Sequence, residues 1–69
     1  MEYRGDLRYW WPVVRNLPTT KGIWPRMKAS GPGIPAGAIV LSVDSPTQVT
    51  LSMLAVENTT QLPIKFEEG

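Results

Sequence analysis

Six carboxylates, at Glu2, Asp6, Asp44, Glu57, Glu67 and Glu68, carry what acid–base capacity this chain has near neutral pH, because its 69 residues include neither histidine nor cysteine. That removes the commonest general base and the commonest sulfur nucleophile. Sugar hydrolysis by paired carboxylates needs two of them facing each other across a cleft. Here they fall mostly in termini and turns. A metal would find only oxygen ligands. The expectation is a protein without catalytic residues, metal ligands or cofactor, and not an enzyme.

The remaining chemistry is that of adhesion. Tyr9, Trp10 and Trp11 form an apolar cluster, framed by Arg4, Arg8 and Arg15, with Trp24 further on. Aromatic residues and arginine are what interface centres favour. Tryptophan also fills cores and stacks sugars or bases. Core or subunit contact is expected ahead of ligand stacking, and the interface set is Arg4, Arg8, Tyr9, Trp10, Trp11, Arg15 and Trp24. Arg4-Gly5-Asp6 matches the integrin tripeptide and is read as coincidence. Asn58-Thr59-Thr60 is a glycosylation sequon only in a secreted eukaryotic protein, which nothing else here supports.

Charge is uneven along the chain. Residues 1–37 hold six bases and two acids, net +4, and residues 38–69 one base and four acids, net −3. A basic and an acidic half suit contact between neighbouring copies. The overall +1 gives no strong pull towards nucleic acid. No signal peptide opens the sequence, and no apolar run approaches the roughly 20 residues that span a bilayer. The expectation is a soluble protein made in a cytoplasm, without a membrane partner.

Elements short enough to suit seven prolines must position these groups. Prolines at 12, 18, 25, 32, 35, 46 and 63 exclude a long helix before residue 46. Beyond it, Gln48 to Ser52 alternates and is rich in β-favouring residues, leaving one conceivable helical turn near Leu54 to Asn58. Residues 38–43 and 48–53 read as a hairpin about an Asp44-Ser45-Pro46-Thr47 turn. Its inward faces are expected to be Ile39, Leu41 and Val43, and Val49, Leu51 and Met53. Residues 62–67 alternate with Leu62, Ile64 and Phe66 inward, Pro63 marking an edge or a strand start. Residues 26–30 place Met27 and Ala29 inward, and residues 9–14 read as a strand kinked at Pro12. The fold class is all-β: a small antiparallel sandwich or open barrel of about five short strands. An extended N-terminal arm, 1–12, precedes a single domain, 13–69.

Between two of these strands lies Ser30-Gly31-Pro32-Gly33-Ile34-Pro35-Ala36-Gly37. Gly31, Gly33 and Gly37 can take positive φ, and Pro32 and Pro35 stiffen the loop between them. Ile34 is then a lone apolar side chain held for the open end of the sheet. A phosphate-cradling loop would need Lys and Ser/Thr at fixed spacing before a helix, and neither follows.

The run from Met27 to Ser52 resembles a module of bacteriophage tail, fibre and head-surface proteins, with a Val-Ser-Gly-x-Gly-Ile-Pro-x-Gly-Thr core and a hairpin ending Val-Thr-Leu-Ser. Here it stands as Ala29 to Ala38 and Val43 to Ser52, with looser likeness over about 13–67. Arg26, Ala29 and Ala38 replace the module's usual Gly, Val and Thr. The resemblance implies a virion structural protein, made in the host bacterial cytoplasm. A capsid decoration or cement subunit is expected to bind other virion proteins and its own copies, a trimer being favoured. The alternative it implies is a tail-fibre or attachment module recognising a host-surface glycan. A nucleic-acid-binding barrel using Arg4, Arg8, Arg15, Arg26 and Lys28 lacks the usual basic excess. Self-association also suits the size: a core this small, without disulfide or metal, leaves little margin.

Overall fold

The computed structural model describes residues 1–68. Among them are six strands: β1 (Glu2–Leu7), β2 (Val13–Val14), β3 (Lys28–Ser30), β4 (Val40–Ser45), β5 (Gln48–Leu51) and β6 (Thr59–Glu67). They form two three-stranded antiparallel sheets, β1-β6-β3 and β2-β5-β4. The fold is all-β, and the sheets are joined at both flanks. Asp6 and Arg15 exchange backbone hydrogen bonds of 2.7 and 3.1 Å between β1 and the end of β2. At the other flank Lys28 bridges Ile39, and Val40 N–H donates to Met27 O at 2.8 Å. Neighbours therefore run β1-β6-β3-β4-β5-β2 and back to β1, each antiparallel to the next. An all-antiparallel ring closes only with an even number of strands, because directions must alternate around it. Five would leave it open.

The sixth strand comes from the segment expected to be an arm. Residues 2–7 pair with β6 from Glu2 opposite Lys65 to Leu7 opposite Thr59. Tyr3, Gly5 and Leu7 face the interior and Glu2, Arg4 and Asp6 the outside. Gly5 concealed this alternation in the sequence. It is glycine because β1 passes so close to its neighbours that an added Cβ would lie 2.7 Å from Val14 Cγ1 and 2.9 Å from Leu17 Cδ2. The 1–12 arm is thus a wall of the barrel as far as residue 7, and only 8–12 is loop.

The core is a single cluster without buried polar side chains among the described residues, Phe66, Leu17, Ile64, Val14, Val40 and Val49 being its largest fully enclosed members. The expected inward faces of β3, β5 and β6 hold, Met27 joining them just before β3. That of β4 holds at Val43, which packs against the core, and fails at Leu41. A bulge between Val40 and Ser42 advances the register by one, which moves alternate side chains to the opposite face. Val40 is buried, Leu41 is 54% exposed and Val43 is half-buried. Met53 lies past the end of β5 and is exposed. The strand expected over 9–14 shrinks to Val13–Val14, and no helical turn forms at 54–58. Nor is Pro63 at a strand start: β6 begins at Thr59 and lies between β1 and β3. Proline is tolerated there because β3 ends at Ser30, opposite Lys65, so Pro63 lies beyond the ladder on that flank.

Strand directions sort the loops to two ends. Segments 8–12, 31–37 and 52–58 lie at one end, with Val56 N–H donating to Gly33 O and Trp10 N–H to Ala55 O, both at 2.9 Å. Met1, segment 18–26 and the Pro46-Thr47 turn lie at the other. In the glycine loop Ile34 is buried as expected, and Gly33 and Gly37 have φ of 84° and 88°. Gly31 does not have positive φ; a Cβ there would instead meet Pro63 O at 3.0 Å. Pro35 turns the chain, its carbonyl accepting from Ala38 N–H at 3.3 Å.

Two outcomes test this description. Deleting residues 1–7 removes a barrel wall, so the truncated chain is expected to lose its β circular dichroism and dispersed amide spectrum. Retention of both would restore the arm. Gly33→Val meets Glu57 Cβ at 3.3 Å and Leu7 Cδ1 at 3.4 Å at a positive φ, and is expected to cost about 1–3 kcal/mol in chemical denaturation.

Candidate functional site

Exposed large apolar side chains gather at one end. Tyr9, Trp10 and Trp11 are 49, 61 and 45% exposed, and Met53, Leu54 and Val56 stand on the loop hydrogen-bonded to them. The two loops are tied as a pair. Trp10 N–H donates to Ala55 O, Ala55 N–H to Trp11 O at 3.0 Å, and Leu51 N–H to Pro12 O at 2.7 Å. Tyr9 N–H is capped by Asn58 Oδ1 at 2.9 Å. Within this frame Trp10 has φ of 64°, a left-handed conformation that bulky residues avoid. Such conformations cost on the order of 1–3 kcal/mol and persist only where the surroundings enforce them. The strain holds an indole in water.

Two contacts organise the exposed rings. Tyr9 meets Trp10 edge-to-face, centroids 5.3 Å apart and planes at 83°. Arg8 lies over Trp11, its guanidinium carbon 4.9 Å from the ring centroid. With aromatic side chains at about 150–250 Å² apiece, the end exposes on the order of 500 Å² of apolar surface. That lies near the upper limit of what monomers carry and falls short of the roughly 800 Å² each partner buries in a standard interface.

The seven residues expected to act together are divided by the fold. Arg8, Tyr9, Trp10 and Trp11 stand at this end. Arg4 lies on the outer wall of β1 and donates to Gln61 O at 3.2 Å. Arg15 closes the β1–β2 flank through its backbone. Trp24 is at the other end with Arg26 and Glu68. None of the tryptophans is in the core. The basic and acidic halves interleave, Lys28 lying opposite Glu67 and Glu2 opposite Lys65. The five basic residues considered for nucleic acid are divided as well, Arg26 and Lys28 standing away from the β1–β2 flank.

Sequence reasoning missed Met53, Leu54 and Val56. Their signal was an apolar run without the alternation of a strand. It also missed a cleft along the β1–β2 flank, lined by the apolar Leu7 and Val13 together with Asp6, Arg8, Arg15, Asn16, Asn58 and Thr60. Both oxygens of Asp6 are engaged there: Oδ2 accepts from Asn16 Nδ2 at 2.6 Å and Oδ1 from Gln61 N–H at 2.9 Å. Asn16 and Gln61 both have positive φ, 57° and 55°. The carboxyl is held below its ordinary value by the Asn16 amide first, then the Gln61 N–H, with help from nearby Arg15. Asp6 in the Arg-Gly-Asp tripeptide is thus engaged within the protein. Among the described residues no group of three carboxylates assembles a metal site.

Fold and site define a small antiparallel β-barrel with an aromatic face at one end. Comparisons with protein-family models, curated proteins and solved structures return no match.

Asp6 ties β1 to β6 and to the loop after β2, so Asp6→Asn is expected to lower stability at pH 7. Two exposed hydrogen bonds to a charge, discounted for solvent screening, amount to at most about 1 kcal/mol, or up to roughly 4–8 °C in Tm. Because the folded carboxyl titrates below its ordinary 3.8, the contribution is complete above that pH and is lost as pH falls through the lower folded value. The difference between wild type and variant should therefore narrow below about pH 4. A gap unchanged down to pH 2 would mean that the charge contributes nothing.

Proposed function

We propose that this chain is a structural protein of a bacteriophage particle, a capsid decoration or cement subunit that holds to the shell and to its own copies, as a trimer, through its aromatic end. The phage setting rests on the likeness of residues 27–52 to the virion module. The observation that carries the binding role is the exposed, strained Trp10 between Tyr9 and Trp11, in loops fixed by hydrogen bonds. Preorganised aromatic residues bind protein with little ordering cost, and a patch of this extent suits the centre of an interface with a polar rim. The module-like loop contributes to the same end: Gly33 O receives Val56 N–H, and buried Ile34 anchors the loop beneath it.

The glycan-binding alternative draws on the same rings. Sugar stacking uses an open aromatic face, whereas Arg8 covers one face of Trp11 and Tyr9 packs against Trp10. That favours protein. Sedimentation of the purified protein, alone and mixed with shells that lack it, is the test. Wild type is expected to co-sediment saturably. Trp10→Ala with Trp11→Ala should lose at least about tenfold in affinity, equivalent to 1.4 kcal/mol, while keeping its β spectrum. A stable monomer with no affinity for shells, combined with saturable binding on a glycan array, would overturn the proposal in favour of the attachment module.

A further inference from the structure

The cleft along the β1–β2 flank is lined by two arginines, Arg8 and Arg15, and one carboxylate, Asp6. Asp6 is held by neutral donors, Asn16 Nδ2 and Gln61 N–H. Neither Arg8 nor Arg15 forms an ion pair with a carboxylate of the described residues, where Lys65–Glu67 does. The Arg8 guanidinium lies over the Trp11 ring. Asn58 and Thr60 complete the wall, and Asn58 Oδ1 accepts from Tyr9 N–H, which leaves the Nδ2 group as a donor. The cleft thus sets two arginines and an amide donor against a single carboxylate, Asp6, which lies near Arg15 and already accepts from Asn16 and Gln61.

We infer that this cleft receives a carboxylate from an acidic side chain of the protein partner, whose apolar neighbours lie against Trp10, Trp11 and Met53. Arg8 belongs to both surfaces, lining the cleft and covering Trp11, so a single peptide segment can occupy the two together. Arginine suits the task because its planar fork meets a carboxylate with paired, charge-assisted hydrogen bonds. The inference rests on the protein-binding reading of the aromatic end and adds the chemistry of what binds.

The test is a titration of the whole labelled protein, followed by NMR at the arginine Nε–H and asparagine side-chain amide signals. The probes are acetyl-Leu-Asp-Leu-amide, its Asn counterpart, glucuronic acid and inorganic phosphate. The Asp peptide is expected to shift Arg8, Arg15 and Asn58 saturably, and the Asn peptide to bind at least about tenfold more weakly. Arg8→Gln and Arg15→Gln should each abolish the response with the rest of the spectrum in place, and Arg26→Gln, at the far end, should not. Equal response to both peptides, or shifts at Arg26 as large and as unsaturable as those at Arg15, would overturn the inference. Saturation by glucuronic acid or phosphate without response to the Asp peptide would overturn it too, in favour of a sugar acid or a phosphate. No shell is needed, so a failure here is separable from a failure of shell binding.

Discussion

The antiparallel bridge between Asp6 and Arg15 is the contact on which the arrangement depends. It joins the outer edge of β1 to the end of β2 and so turns two three-stranded sheets into a ring. β2 is only Val13–Val14, so that flank has little ladder to hold it. The Asp6 side chain reinforces the join by holding Asn16 on one side and Gln61 on the other. An edge left open here would expose unpaired backbone to other chains. Closure removes that hazard and also completes the shell around Val14, Leu17 and Leu62.

Closure also determines what the loops can do. A barrel this small is filled by its own side chains, so little space remains inside for a ligand. A binding surface on such a barrel can lie only at its ends or on its outer wall. At one end three loops brace one another through backbone hydrogen bonds, which is how an indole at positive φ and a cluster of exposed rings are maintained. The cleft of the β1–β2 flank lies directly beside them because Arg8 and Asn58 belong to the same loops. The opposite end, with Met1 and Trp24, is a second and separate exposed apolar place.

Stability and the proposed adhesion draw on different residues. The enclosed side chains are aliphatic apart from Phe66, and the three tryptophans are left on the surface. Burying an aromatic side chain is among the larger single contributions available to a small core. A chain of this size that leaves three of them in water forgoes that stabilisation.

Much of the fold was legible in residue order alone. Seven prolines and the alternation of 48–51 and 62–66 determine an all-β chain, because proline breaks helices and a period of two suits a surface with one buried face. The absence of histidine and cysteine determines which chemistry is unavailable. The turn at Pro46-Thr47, buried Ile34 and the left-handed glycines at 33 and 37 were equally local and equally readable. Tertiary structure decided the rest. That residues 2–7 are a wall rather than an arm depends on β6, sixty residues away, and on the fit of Gly5 against Val14. That Leu41 faces water depends on a bulge whose register only the partner strand defines. The aromatic end needed Met53, Leu54 and Val56 brought to Trp10 from across the chain, and the cleft needed Asn58 brought to Arg8. Contacts between distant segments are set by ring closure and backbone pairing, and no spacing within one segment encodes them.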